Sequence, residues 1–309
     1  MRVATFNVQN LRLRQKEAGP RLDGAWDKDV SHGADDRDAL AAADRRLTAE
    51  VLRIANADVV ALQEVFDRET LDHFHDEALT PAGVAPYPHR FCLPGNDGRG
   101  LDVALMSRRA PRRVESHAAE TPASLGLPAT AECAADARIF RRDCLEAEMA
   151  GVTLFVCHFK APYPDVEASG RIRLLEAQAV AALIRRRFAD PAAALWLVLG
   201  DLNEPRETPA AGPATAPLVA MDGVDLMLRL PEGERWSFHQ PRSAFYSRPD
   251  AMIASPALAA RFPTARPRII RAGMEREADR YPGPRLPEVG ETRPHASDHA
   301  LVAVDLSGL

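Results

Sequence analysis

The chain has 309 residues, of which 46% are hydrophobic and 27% are charged. This mixture is typical of a globular protein and excludes a disordered chain, a collagen-like repeat and a fibrous coil. The 39 basic and 44 acidic residues leave a net charge of −5. That balance disfavours a protein that binds nucleic acid over a large basic surface, although a nuclease with a local basic groove remains open.

The apolar patterns predict the strands and helices in chain order. They indicate strands over 2–8, 59–65, 102–107, 145–149, 152–158, 195–199, 250–254 and 300–306, and helices over 47–57, 69–79 and 171–188. The stretches 11–44, 121–137 and 272–296 are rich in charge, Gly, Pro or Ala and are predicted to be loops or insertions. Several strands follow one another without a helix between them, which favours antiparallel pairing in a layered α/β sandwich. No linker divides the chain, so we predict one domain over 1–309.

The cysteines and the N-terminus indicate the compartment. The four cysteines form no CxxC pair, and scattered cysteines in a chain of this length predict reduced thiols inside the cell. The first residues, MRVATFNVQN, contain no apolar run of the kind found in a secretory signal, and no segment is long enough to span a membrane. We therefore predict a cytoplasmic protein without a membrane span, and we expect a monomer.

Polar side chains stand where the predicted strands end or begin. They are Asn7, Glu64, His158, Asp201, Asn203, Asp250, Asp298 and His299. Each motif alone also fits a turn or a cap, but carboxylates at the ends of packed strands are costly unless they are paired or bind a cation. If the strands converge, Asn7, Glu64, Asp201, Asn203 and Asp298 form an all-oxygen site that suits Mg²⁺ or Mn²⁺.

In this order, the motifs resemble those of the endonuclease/exonuclease/phosphatase superfamily, which has the deoxyribonuclease-I-like fold. The matching pieces are TFNVQN, LQEV, RGLDVALMSR, CHFK, GDLNEP, RPDAMIAS and SDHA, and they extend over 2–304. They look most like those of an uncharacterised bacterial branch. The resemblance implies a four-layered αββα sandwich, with two packed mixed β-sheets flanked by helices. It also implies a divalent-metal-dependent hydrolase of phosphoric esters.

The resemblance, together with the chemistry of these residues, suggests a role for each. Glu64 is expected to be the first metal ligand, with Asn7 and Asp298 sharing the metal sites. Asp201 is expected to orient or deprotonate the attacking water, and Asn203 to donate its amide to a phosphoryl oxygen. His158 is expected to act on the phosphoryl group as a cation or as a donor. His299 is the acid/base candidate, and the resemblance assigns Asp250 as its partner.

Two basic residues are weaker candidates for substrate binding. Lys160 follows His158 by two positions, on the same face if the strand continues, so either a phosphate contact or a simple ion pair is open. Arg142 precedes a predicted strand and either touches substrate phosphate or belongs to a surface charge cluster.

The sequence leaves the substrate open. A phosphodiester, in nucleic acid or in a smaller compound, is the favoured substrate. The alternative is a phosphomonoester on a small molecule or lipid headgroup, and a second alternative is a non-catalytic binding module. The net charge of −5 favours a small or single-stranded substrate over duplex DNA.

Overall fold

The computed structural model describes residues 1–15, 17, 19–26, 34–205, 209, 210 and 212–308. In these ranges, the strands are β1 (Arg2–Leu11), β2 (Leu13–Arg14), β3 (Arg21–Leu22), β4 (Val59–Val65), β5 (His89–Cys92), β6 (Asp102–Ser107), β7 (Arg113–Ser116), β8 (Cys144–Met149), β9 (Val152–His158), β10 (Trp196–Asp201), β11 (Val224–Asp225), β12 (Phe238–His239), β13 (Tyr246–Ser247), β14 (Asp250–Ala254), β15 (Arg268–Ile270) and β16 (Leu301–Asp305). The α-helices are α1 (Ala34–Ala55), α2 (Arg68–Phe74), α3 (Pro122–Leu125), α4 (Val166–Arg187), α5 (Ala216–Val219) and α6 (Pro256–Arg261).

Two six-stranded sheets form the centre of the molecule. The first has the order β15-β16-β1-β4-β6-β5 and the second the order β11-β14-β10-β9-β8-β7. In each sheet the two central strands are parallel, β1 with β4 and β9 with β10, and their outer neighbours are antiparallel. Each sheet is therefore mixed, as predicted.

Three layers of apolar side chains hold the sheets and helices together. One layer lies between the first sheet and α1, and a second lies between the two sheets. A third packs α4 on the outer face of the second sheet. The central strands are buried on both faces, which explains why their sequences are continuous apolar runs. The prediction of a four-layered αββα sandwich is confirmed.

The predicted loop over 11–44 is wrong in part. Helix α1 begins at Ala34 rather than near residue 47, and β2 pairs with β3 earlier in the segment. The first half of α1 is rich in charge, but Asp44 and Arg45 are buried and hydrogen-bonded, so charge there does not mark a surface loop. Residues 16, 18 and 27–33 of the predicted loop lie outside the described residues.

The other two predicted loops differ less from the structure. The insertion over 121–137 contains only the short helix α3 and an isolated bridge between Thr130 and Cys133. Residues 272–296, all of which are described, contain neither a helix nor a strand. Among the described helices, none combines the length and the apolar character needed to cross a bilayer.

Candidate active site

Two central strands of the first sheet change register where the site begins. The pairing of β1 with β4 shifts between Asn7 and Leu11, and β4 has a second irregularity at Glu64 against β6. Gln9, Asn10 and Glu64 have positive φ values of 48°, 54° and 66°. Non-glycine residues rarely adopt this conformation, and it persists only where the surroundings impose it. Bulges of this kind change the direction of side chains and occur beside active sites.

A buried arginine of α1 supports the irregular end of β1. The Arg45 guanidinium donates to the carbonyl oxygens of Val8 at 2.6 Å, Gln9 at 2.7 Å and Gly24 at 2.8 Å, and to that of Asp23 at 2.6 Å. Burial lowers the pKa of Arg45 to about 10, although neighbouring acids oppose the shift, so the group remains charged at neutral pH. The part of α1 that was not predicted from the sequence therefore stabilises the backbone beside Asn7.

One oxygen atom of Asp201 is the point on which side chains of both sheets converge. Its Oδ2 accepts from Nδ2 of Asn7 at 3.0 Å and lies 3.6 Å from Nε2 of His158 and 3.8 Å from Nε2 of His299. The register of the second sheet places Asp201 directly beside His158 on β9 and Asp250 on β14. The strand ends that carry Asn7, His158 and Asp201 therefore meet at this oxygen, together with His299 from the segment before β16.

The hydrogen bonds fix the orientation of the Asn7 amide. Its Oδ1 accepts from the backbone N–H of Gln9 at 3.0 Å, so its nitrogen faces Asp201 at 3.0 Å and Glu64 Oε1 at 3.4 Å. The other Glu64 oxygen accepts from the backbone N–H of Asn10 at 2.9 Å. Asn7 thus links the two carboxylates through its nitrogen. A metal ligand role for Asn7 requires its oxygen and stays a prediction.

His299 and Asp250 form a buried pair. Nδ1 of His299 lies 2.9 Å from Oδ2 of Asp250, which also accepts from the Ser237 hydroxyl at 2.6 Å. Burial opposes charge on His299, but Asp250 and then Asp201 outweigh it and hold the pKa of His299 well above its ordinary value. The imidazole is therefore charged near neutral pH and donates at both nitrogens.

The pKa of Asp201 lies close to neutral pH. Burial raises the pKa of Asp201 to about 6, with the charge of His299 lowering it and that of Asp250 raising it. Its Oδ1 accepts from the backbone N–H of Asn203 at 2.9 Å, and the Asn203 amide nitrogen donates to the carbonyl of Phe159 at 3.0 Å. One amide N–H of Asn203 is thereby left for another acceptor.

His158 differs from His299 in its charge. Burial, followed by the charges of Arg142 and His299, lowers the pKa of His158 well below its ordinary value. A lowered pKa favours the neutral imidazole, and so favours the donor over the cation of the two predicted roles, both of which stay predictions. Its Nδ1 is buried without a hydrogen-bond partner.

The two basic residues predicted to contact substrate both bind groups of the protein itself. Arg142 is buried, with Nε 3.2 Å from Asp97 Oδ2 and Nη1 donating to the carbonyl of Phe159 at 3.2 Å, so a surface charge cluster is the wrong description. Strand β9 ends at His158, so strand alternation does not govern Lys160. The Lys160 ammonium donates to the carbonyls of Ala161 and Tyr163 in its own loop.

A group of possible metal ligands lies elsewhere in the described part of the chain. Side-chain atoms of Glu115, His117 and Glu146 lie within 4.8 Å of one another. Glu146 also pairs with Arg187 at 3.2 Å, and Glu115 pairs with Arg113. These arginines already balance the carboxylates, so we assign no ion to this group.

Comparison with known proteins places the chain among hydrolases of phosphoric esters. Residues 4–299 match the model of the Endonuclease/Exonuclease/phosphatase family, and the chain belongs to this family. The predicted membership is confirmed, and with it a metal-dependent hydrolase acting on phosphoester bonds. The sequence matches no curated protein.

Solved structures share the fold at low sequence identity. An endonuclease/exonuclease/phosphatase family protein from Leptotrichia buccalis is 14% identical, with 99% of this chain and 98% of that chain covered and a TM-score of 0.58. An AP endonuclease from Archaeoglobus fulgidus is 14% identical, with 99% of both chains covered and a TM-score of 0.59. Truncated TDP2 from Caenorhabditis elegans is 14% identical, with 98% of this chain and 96% of that chain covered and a TM-score of 0.55.

Proposed function

We propose that the protein hydrolyses a phosphodiester with the aid of Mg²⁺ or Mn²⁺. The observation that carries this proposal is the arrangement around Asp201 Oδ2, which faces the amide of Asn7, a neutral His158 and a charged His299. A carboxylate with a raised pKa beside a charged imidazole supplies the base and the acid that an ester hydrolysis needs.

The Glu64 carboxylate is suited to binding a hard divalent cation. Glu64 is half-buried, and its oxygens accept from the side-chain amide of Asn7 and from the backbone N–H of Asn10. No described lysine, arginine or histidine lies within ion-pair distance of it. A carboxylate at a strand end without a basic partner is costly unless a cation balances it. We propose that Glu64 and Asp298 hold the ion, with Asn7 contributing through its oxygen or through water. Such an ion neutralises charge on the phosphoryl oxygens.

The protein's own residues then share the remaining work. Asp201 orients the attacking water and takes its proton, because burial raises the pKa of Asp201 to about 6. The free N–H of the Asn203 amide and the neutral His158 imidazole donate to phosphoryl oxygens. His299, held by Asp250 at 2.9 Å, gives a proton to the leaving oxygen.

The charges near the site favour a diester over a monoester. A phosphodiester carries one negative charge, whereas a monoester dianion needs additional cations. Arg142 lies 3.2 Å from Asp97, which also pairs with Arg99, and the Lys160 ammonium is bound to two carbonyls. Among the described residues, these two candidate cations are therefore already in contact with groups of the protein.

The identity of the diester remains a proposal. The net charge of −5 favours a small diester or a single strand over duplex DNA. The AP endonuclease from Archaeoglobus fulgidus, which shares the fold, makes nucleic acid the first polymer to test. We also propose one monomeric domain over 1–309. A cytoplasmic location is proposed from the cysteines, all four of which are buried free thiols.

We expect a substrate panel to separate these alternatives. With Mg²⁺ or Mn²⁺, kcat/KM for bis-p-nitrophenyl phosphate should exceed that for p-nitrophenyl phosphate, and EDTA should abolish both activities. Single- and double-stranded DNA and RNA complete the panel. Preference for the monoester would favour the phosphomonoesterase, and activity that survives exhaustive EDTA treatment would refute the metal dependence.

We expect Glu64→Gln to weaken the dependence on the ion. The substitution keeps the volume and one acceptor oxygen but removes the charge, so Mn²⁺ affinity should fall by on the order of 10–100-fold or more, the range for altered metal-site partners. Calorimetric titration with Mn²⁺ measures this directly. Glu69→Gln, on the exposed first turn of α2, is the matched control and should bind as the wild type does. Unchanged affinity in Glu64→Gln would remove Glu64 from the metal site.

A further inference from the structure

Two contacts hold the backbone of Asp298 from behind the active site. Its N–H donates to the side-chain oxygen of Gln9 at 3.2 Å, and its carbonyl accepts from the backbone N–H of His239 at 3.1 Å. Together these hydrogen bonds fix the peptide groups on both sides of the Asp298 side chain. The position of its carboxylate therefore depends on how firmly Gln9 and His239 are fixed.

His239 is fixed by a buried ion pair. Its Nε2 lies 2.8 Å from the carbonyl of Ser243, which only accepts, and its Nδ1 bonds to Oε1 of Glu275. Both nitrogens therefore donate, which makes the ring an imidazolium. Burial opposes that charge, but the hydrogen bond to the Glu275 carboxylate raises the pKa of His239 above its ordinary value. The side chains of His239 and Glu275 are both fully buried.

A second histidine reaches Gln9 from the other side. The ring nitrogens of His295 lie 2.6 Å from the carbonyl of Thr292 and 2.6 Å from that of Ala25. The two carbonyls hold the ring in place between Thr292 and Ala25. Its Nε2 is 3.3 Å from Oε1 of Gln9, the atom that receives Asp298.

Glu275 lies between the rings of His239 and His295. Its Oε1 binds His239, and its Oε2 lies 3.8 Å from Nδ1 of His295 without a hydrogen-bond partner of its own. A buried charge without a partner is strongly destabilising, so Glu275 and the His239 ring depend on each other. Removing Glu275 would leave the His239 ring uncompensated and would take away the carboxylate beside His295.

We propose that Glu275 is a positioning residue for Asp298. It acts through His239 on one side and through His295 and Gln9 on the other, and so sets where the Asp298 carboxylate meets the ion. This inference rests on the proposed function only in taking Asp298 as a metal ligand. It gives the loop over 272–296 a role that its sequence does not reveal.

Three variants test the proposal. Glu275→Leu removes the counter-charge, and Glu275→Gln keeps the shape and one acceptor. Glu277→Leu is the matched control, because Glu277 lies on the same loop and its side chain accepts from the backbone N–H of Arg242 at 2.9 Å instead of from a ring of His239 or His295. The readouts are the Mn²⁺ dissociation constant by calorimetry without substrate, kcat on bis-p-nitrophenyl phosphate, and Tm.

We expect Glu275→Leu to weaken Mn²⁺ binding by on the order of 10–100-fold, as outer partners of metal ligands do. Glu275→Gln should recover part of that loss, and Glu277→Leu should match the wild type. A Glu275→Leu protein with a lowered Tm but wild-type Mn²⁺ affinity and kcat would show a structural role only and overturn the proposal. If Glu275→Leu does not fold, Glu275→Gln decides, and wild-type Mn²⁺ affinity in that variant would overturn it.

The same measurements keep the two proposals apart. A wild-type protein that binds Mn²⁺ but cleaves no phosphodiester would refute the proposed substrate, while the effect of Glu275→Leu on Mn²⁺ binding would still support the positioning role. Loss of activity in Glu275→Leu without any loss of Mn²⁺ affinity would instead overturn the positioning of Asp298.

Discussion

We expect His299→Ala to lower kcat by on the order of 10²–10⁴ on a phosphodiester that the wild-type protein hydrolyses. Asp250 at 2.9 Å and Asp201 at 3.8 Å hold the imidazole in its charged form, with its pKa well above the ordinary value. Alanine removes the proton that the leaving oxygen needs and leaves the carboxylates unbalanced. The measurement is steady-state kcat and KM at saturating Mg²⁺ or Mn²⁺, with Mn²⁺ affinity measured separately.

Asp250→Asn is the companion variant for this prediction. It keeps the volume of the side chain and an acceptor for the Ser237 hydroxyl, but it removes the charge behind His299. Its loss in kcat should be smaller than that of His299→Ala, and Mn²⁺ affinity need not fall. Near wild-type turnover in His299→Ala would remove His299 from the mechanism. The assignment would then pass to His158, whose Nε2 lies 3.6 Å from Asp201.

The strands that carry the site could be predicted because burial dictates their composition. The runs 59–65, 102–107, 152–158 and 250–254 have in the structure the bounds that their sequences predicted. A strand buried between two layers needs apolar side chains throughout, so the polar residue that ends it is conspicuous. Asp201, which ends β10, could be singled out for this reason, as could Asn7 at the register shift of β1 and His299 just before β16. The order of the motifs made the family recognisable.

The supporting residues could not be predicted because their contacts are distant in the sequence. Glu275 meets His239 across 36 residues and lies in a segment without a helix or strand. Arg45 satisfies carbonyls of β1 across 36 and 37 residues. A buried ion pair has the same residue types as a charged surface, so neither composition nor periodicity distinguishes them. The register of the Asp201 neighbours, by contrast, follows from strand pairing.

The edge strands were missed for a related reason. β5, β7 and β15 have three or four residues each and are largely half-buried or exposed. Edge strands of this kind lack the continuous apolar run of the centre and show little alternation. Their absence from the predicted elements did not affect the candidate site, because its side chains come from the central strands, from β14 and from the segment before β16.

We expect Asp201→Asn to reduce kcat by on the order of 10²–10⁴, a loss comparable to that of His299→Ala. The substitution keeps the size of the side chain, so the packing of β10 is retained. It replaces a carboxyl group, whose pKa is raised to about 6 by burial, with an amide that takes no proton from water. It also weakens the attraction that holds the charged His299. KM should change less than kcat, because the lost interaction serves the transition state more than the bound substrate.

Asp143→Asn is the matched control for that variant. Asp143 is also buried, and burial raises its pKa to about 6 as well. Its Oδ1 accepts from the backbone N–H of His117 at 2.8 Å, at the start of β8, and the contacts that converge on Asp201 do not include it. A loss of stability with little change in kcat is therefore expected for Asp143→Asn. Equal losses of kcat in the two variants would show that the loss does not depend on the position of the carboxylate that is removed. The role of Asp201 as the base would then be untenable, because its particular place among Asn7, His158 and His299 is what assigns it that role.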